Sequence, residues 1–149
     1  MKIKKVVGTF LLSNIAIALF FSANPAMAAN VSGNHHTTSS TLLADIKTKY
    51  VKDADENLNS ALEAMNNAAD AENDADAANY FDNAMEHLKN AATALKKGGM
   101  GDSANKIENA IQALSDAVDT DSEKQQDKLI EKAIDSLNQV DEALKAVLN

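Results

Sequence analysis

Several residue types are missing or scarce in this chain, and each absence excludes a class of structure or function. The 149 residues include no cysteine and no arginine, one proline and three histidines. Without cysteine there is no disulfide, no lipid attachment of the bacterial kind and no covalently bound haem. The chain also lacks a glycine-rich phosphate loop and a Gly-x-Ser-x-Gly turn, and it has few groups for acid–base or oxyanion chemistry. We therefore do not expect an enzyme.

The first 28 residues have the pattern of a cleavable signal peptide. A basic start at residues 2–5 precedes an apolar run from residue 6 to residue 21, which is short for a membrane span. Pro25 follows this run, and residues 26–28 read Ala-Met-Ala, the small-x-small pattern that a signal peptidase accepts. A retained membrane anchor is the alternative. We expect cleavage before Ala29 and a periplasmic or secreted product without membrane contact.

The charge of the chain argues against two kinds of partner. The net charge is −8, and removal of the basic start would take it to −11, because residues 1–28 contain three lysines and no acid. Nucleic acids and anionic membranes are both bound through cationic side chains. We therefore expect neither as a partner of the exported chain.

Periodic apolar residues predict an all-α fold. Residues 29–40 are small and polar and predict a flexible tail, whereas residues 41–149 contain four apolar stripes at steps of three and four residues. Gly98-Gly99 ends the second helix, and Asp102 or Ser103 is placed to cap the third. We predict an up-down-up-down four-helix bundle. The fourth stripe ends with Leu144 and Leu148. The first stripe consists of Leu43, Ile46, Tyr50, Ala54, Leu58, Ala61, Leu62, Met65 and Ala68.

The four stripes divide into two similar pairs. When the sequence is shifted on itself by 49 residues, the first helix matches the third and the second matches the fourth, without a gap. Leu58 falls on Ile107, Met65 on Leu114, Leu88 on Leu137 and Asp70 on Asp119. Stripes in phase can match by chance, but here the turns match too. This pattern indicates a duplicated helical hairpin.

The two matching turns contain the clearest candidate metal ligands. Carboxylates at alternating positions have a spacing that suits a hard cation such as calcium. They belong to Asp70, Glu72 and Asp74 in one turn and to Asp119, Asp121 and Glu123 in the other. Neither turn has the glycine or the closing glutamate of a complete calcium loop. Capping of the following helices is the competing interpretation, and any cation here would be held weakly.

The three histidines are further candidate ligands. His35 and His36 lie in the polar tail, where they could hold copper, nickel or zinc weakly, and His87 lies beside the stripe of the second helix. His87 is not part of a Glu-x-x-His motif, through which di-iron bundles bind their metal ions. Haem ligation by His87 with Met65 or Met85 is conceivable, but methionine in a core is the commoner explanation of both. No cofactor is certain from the sequence, and a divalent metal ion is the candidate.

The last 93 residues, 57–149, resemble the small metal-binding protein family. The resemblance depends on residues 84–91, the Gly98-Gly99 pair, and residues 107–114 and 130–137. It implies an exported, cysteine-free four-helix bundle that binds copper and other divalent metals through histidines on every helix. At the helical positions of those histidines, this chain has histidine only at His87.

Two functional hypotheses follow from the sequence. The first is a non-enzymatic exported bundle that binds divalent metal ions weakly, through the acidic turns and the histidines. The second is an interaction or stress-protective module that binds another envelope or host protein through a helical face and needs no metal.

Overall fold

A computed structural model describes residues 2–13 and 39–148, and within these ranges the chain is all-helical. Five helices and their short connections account for the described residues, and none of them forms a strand. The helices are α1 Lys2–Ser13, α2 Ser39–Asp70, α3 Asp74–Lys97, α4 Gly101–Asp119 and α5 Glu123–Leu148. The predicted all-α class is confirmed. The predicted cleavage site and most of the predicted tail lie outside the described residues.

The four long helices pack against their neighbours in sequence. α2 packs most extensively on α3 and α4 on α5, while α3 contacts α4 and α2 contacts α5. Each connection between consecutive long helices has three residues, and helices that pack on each other across so short a connection run antiparallel. The connections 71–73 and 120–122 therefore lie at one end of α2–α5, which we call the helical body, and 98–100 lies at the other.

The two helix pairs are equivalent at a spacing of 49 residues. α2 ends at Asp70 and α4 at Asp119, while α3 begins at Asp74 and α5 at Glu123. The same spacing relates the buried positions of α3 to those of α5. The buried residues of α5 are Gln126, Ile130, Ala133, Ile134, Leu137, Val140, Asp141 and Leu144, and each lies 49 residues after a buried residue of α3. The apolar pattern therefore determines the same buried face in both pairs.

The glycine pair ends α3 as the sequence predicted. The amide of Met100 donates to the carbonyl of Leu95 at 2.8 Å, and that of Gly99 donates to Lys96 at 3.1 Å. This is the Schellman arrangement, in which the residue after the cap adopts a left-handed conformation. Gly99 has φ = 78°, a conformation that is costly for a residue with a Cβ atom.

The predicted cap of the following helix is wrong. α4 begins at Gly101, its cap residue is Met100, and no side chain caps its free amides. Asp102 and Ser103 lie inside the first turn, and Ser103 is buried. The cause is the short connection, because the residue that closes α3 also begins α4.

The start of α2 also differs from the prediction. Leu43 and Ile46, which were expected in the buried stripe, are 58% and 48% exposed. A Cβ atom on Gly98 would lie only 3.3 Å from the Cβ of Tyr50, so α3 ends beside Tyr50. The first turns of α2 therefore extend past their neighbour. Leu148, at the end of α5, is likewise more than one third exposed.

Candidate functional site at the acidic end

Two turns rich in carboxylates form one end of the helical body, and we call it the acidic end. It comprises residues 70–74, which join α2 to α3, and residues 119–123, which join α4 to α5, and each range includes the terminal residue of both helices. The first turn is organised by Asn73, whose Oδ1 accepts from the amide of Asp76 at 2.8 Å. Its Nδ2 donates to the Asp76 carboxylate at 2.7 Å. An asparagine, rather than one of the predicted acids, thus caps α3.

The second turn is held by neutral side chains. The amide of Ser122 donates to Oγ1 of Thr120 at 3.3 Å, and the carbonyl of Ser122 accepts from the amide of Gln126 at 2.8 Å. The buried side chain of Gln126 donates through Nε2 to the carbonyl of Ala117 at 3.0 Å. Ala117 lies in the last turn of α4, where carbonyls lack helical partners. The carboxylates of this turn are therefore not needed to close it.

Helix α1 lies across the acidic end and contacts all four helices of the body. Lys2 forms an ion pair with Asp121, and Lys5 forms one with Glu123 at 2.5 Å. Lys4 donates to the carbonyl of Ala71 in the other turn. Because these lysines belong to the first turn of one helix, the two acidic turns lie close together on the same end.

The lysines of α1 change the acidity of this end. The hydrogen bond from Lys2, and then its charge, holds the pKa of Asp121 below its usual value. Lys5 lowers the pKa of Glu123 in the same way. The side chains of Asp121 and Glu123 are 90% and 73% exposed, so these pairs are screened by salt and contribute little to stability.

An apolar face fixes α1 more firmly than its charges do. Val6, Val7 and Phe10 are at most 1% exposed and belong to the same apolar core as the helical body. Phe10 lies four residues after Val6 and three after Val7, so all three share one side of the helix. Leu12, on the other side, is 76% exposed. α1 is therefore an amphipathic helix with one buried face.

Three of the four side chains in the core layer nearest the acidic end are alanine. Ala68, Ala77, Ala117 and Gln126 occupy the equivalent buried positions of the four helices, one turn from the acidic turns. Alanine fills little of the space between four helices, and protein interiors are close-packed. The corresponding layer at the opposite end contains the larger Val51, Leu95 and Leu144. The space at the acidic end is thus suited to apolar side chains from α1.

The predicted metal ligands do not come together as a compact cluster. Among residues 2–13 and 39–148, no group of three or more histidine, aspartate or glutamate side chains is arranged to hold a metal ion. The predicted carboxylates all lie at the acidic end, while His87 lies in the middle of α3. They are Asp70, Glu72, Asp74, Asp119, Asp121 and Glu123. His35 and His36 lie outside the described residues, and metal binding stays a prediction.

His87 has a structural partner on α2. Its Nδ1 lies 3.4 Å from Oδ1 of Asn57, and the Nδ2 of Asn57 donates to the carbonyl of Asp53 at 2.7 Å. Because this bond fixes the asparagine oxygen toward the imidazole, Nδ1 of His87 is the donor. Met65 and Met85, the conceivable haem ligands, are both buried in the apolar core.

Asp141 is a buried carboxylate that the sequence reasoning missed. It borders a small apolar cavity of about 20 Å³, large enough for one water molecule, together with Leu58, Met65 and other apolar residues. Lys145 forms an ion pair with it at 2.6 Å. Burial, and then the charge of Asp141, raises the pKa of Asp55 on α2. The 49-residue shift could have predicted the burial of Asp141, because this residue is equivalent to the buried Ala92.

Comparisons with known proteins do not add to the geometry. No protein-family model matches the chain, and neither a curated protein nor a solved structure is significantly similar to it. The resemblance to small metal-binding proteins therefore stays an expectation from sequence. Within the described ranges, no helix combines the length and the apolar character that a membrane span requires.

Proposed function

We propose that this chain is an exported, non-enzymatic binding protein whose helical body is a four-helix bundle. The order of packed neighbours, with α2 beside α5, fits an up-down-up-down arrangement. The common helix ends and buried positions at a spacing of 49 residues support a duplicated hairpin. Residues 1–28, which include α1, serve as the signal peptide, and the product is periplasmic or secreted.

The acidic end is the binding surface of the exported protein. One observation carries this proposal: a whole helix is seated there, with Val6, Val7 and Phe10 buried and with lysines facing both acidic turns. A surface that accepts one positively charged ligand has the shape and charge to accept another. Cleavage of the signal would vacate it. The ligand is then a basic partner in the envelope or in a host.

A divalent cation is the second candidate ligand. In the described structure the carboxylates of Asp121 and Glu123 face lysines, and removal of α1 would leave them without these partners. Carboxylate oxygens suit calcium, and copper, nickel or zinc would use histidine in addition. The absence of a compact ligand cluster in the described ranges implies weak binding.

A photocrosslinking experiment tests the choice of surface. A photoreactive residue replaces Asp121 in the full chain, produced in a bacterium that exports it, and a matched variant carries it at Asp82, an exposed acid on α3. We expect defined crosslinked envelope proteins from position 121 and none from position 82. Equal patterns from both positions, or none from either, would contradict the proposed surface.

A thermal titration tests the cation. Residues 29–149 are heated with copper, zinc, nickel or calcium in separate samples and followed by circular dichroism. Ligand at a hundred times its dissociation constant adds about 2.7 kcal/mol to stability, which raises the midpoint by several degrees. Replacing Asp121 and Glu123 by their amides should abolish that rise. If no metal raises the midpoint of unfolding, a divalent cation is not the ligand.

A further inference from the structure

We infer that the acidic end is a receptor for a short amphipathic helix with lysines in its first turn, and that α1 occupies this receptor until the signal is removed. This inference depends on the proposed function, because it names the partner class of the same surface. It also assigns α1 a second role, as a plug that keeps the receptor closed in the precursor.

The charges determine which end of the partner helix meets the receptor. Lys2 and Lys5 contact the turn between α4 and α5, and Lys4 reaches the carbonyl of Ala71 in the other turn. All three belong to the first turn of α1. A partner helix therefore needs two basic residues three apart near its amino terminus for the turn between α4 and α5, and a third between them for the other turn.

The space beneath α1 distinguishes a helix from a simple cation. The terminal layer of the helical body consists of three alanines, Ala68, Ala77 and Ala117, and of Gln126, and the alanines fill little of the space between the four helices. Val6, Val7 and Phe10 complete the core at this end. A metal ion or a flexible polycation would satisfy the acids but would leave this apolar space unfilled, at the cost of lost contacts.

The partner's apolar face follows from the same geometry. α1 presents one aromatic and two β-branched residues at i, i+1 and i+4, the spacing of a helix that binds in a groove through one face. Leu12 points away and is 76% exposed. The receptor thus selects for the face of α1 and tolerates changes on its outer side.

The test uses the full chain and a fluorescent peptide of residues 2–13. In one variant Phe10→Asp puts a charge on the buried face and releases α1, while the matched variant Leu12→Asp changes only the exposed side. We expect the peptide to bind the Phe10→Asp chain at least about tenfold more tightly than the Leu12→Asp or unaltered chain, because only the first has an open receptor. Circular dichroism verifies that each chain is folded.

A second peptide separates this inference from the proposed function. It keeps the lysines of α1 but carries serine in place of Val6, Val7 and Phe10. If both peptides bind the open chain equally, the surface binds positive charge and the helix receptor is refuted. If neither binds, the proposed surface falls as well. Equal binding of the native peptide to all three chains would show that α1 does not occupy the site.

If the Phe10→Asp chain does not fold, a cut chain replaces it. A protease site is placed between residues 28 and 39, the folded chain is cut, and labelled peptide is added in excess. Exchange of the labelled peptide into the cut chain, with release of the original fragment, supports the receptor. A fragment that separates at once from a folded body and does not rebind would overturn it.

Discussion

Replacement of Asp141 by alanine should stabilise the protein, although Asp141 forms an ion pair. Its side chain is 12% exposed and that of Lys145 is 35% exposed, so the pair is only partly compensated for its loss of water. The equivalent position in α3 is Ala92, which is 2% exposed. Alanine is therefore already accepted in this layer by the duplicated helix.

The expected change can be worked from the surroundings of Asp141. Loss of the i,i+4 pair with Lys145 costs about 0.4 kcal/mol. Enlarging the adjacent cavity by roughly the volume of one water molecule costs about 0.7 kcal/mol. Removal of a desolvated carboxylate, which also repels Asp55, contributes about 2 kcal/mol in the other direction. The free energy of unfolding should therefore rise by about 1 kcal/mol, and any gain in helix propensity adds to this.

A matched variant isolates this gain. Asp135 is exposed on the same helix, so Asp135→Ala measures the propensity change alone, about 0.6 kcal/mol. Urea unfolding of both variants gives the difference, which corresponds to about 3 °C in the thermal midpoint. If Asp141→Ala is instead about 1 kcal/mol less stable than Asp135→Ala, the carboxylate is favourably compensated and this reasoning is refuted.

Asp55 gives the pH dependence of the same region. Its pKa in the folded state lies above the usual 3.8, so the folded chain binds a proton that the unfolded chain has released. Acidification from neutral pH through the folded pKa therefore stabilises the fold through this group, and the gain is complete below 3.8. The unfolding free energies of the unaltered chain and of Asp55→Asn, measured from pH 7 to pH 4, should converge as the pH falls. A constant difference would contradict the shift.

Five further substitutions, two of them matched controls, test the local structure by urea unfolding. Gly99→Ala should lower stability by about 1 kcal/mol because of its positive φ, whereas Gly101→Ala, which meets no atom within 4 Å, should not lower it. Asn73→Ala should cost about 1 kcal/mol through loss of the cap of α3. Phe10→Ala should cost about 3 kcal/mol, and Leu12→Ala under about 0.5 kcal/mol. Equal effects at residues 10 and 12 would contradict the docking of α1.

The fold was predictable where the apolar period is regular. The second stripe, from Phe81 to Leu95, is buried as predicted, and the glycine pair ends α3. Leu43 and Ile46 have the same period, yet they are exposed, because periodicity does not reveal how long a neighbouring helix is. The cap of α4 was mispredicted for a similar reason, since a connection of three residues leaves no separate cap position.

The candidate site was only partly predictable. The acidic turns stood out in the sequence, but the lysines that face them are some 70 to 120 residues distant in the chain. A short basic and apolar segment has the same pattern whether it is read by the export machinery or packs on a folded domain. Asp141 was missed because a single acid within an amphipathic helix is usually exposed.

The most direct test of the central claim is hydrogen exchange in the intact full chain at neutral pH. If α1 is seated on the acidic end, the amides of residues 6–10 should exchange far more slowly than those of an unstructured peptide, and Phe10→Asp should abolish this protection while α3 and α4 keep theirs. Exchange of residues 6–10 at the rate of an unstructured peptide would contradict the docked helix, and with it the receptor.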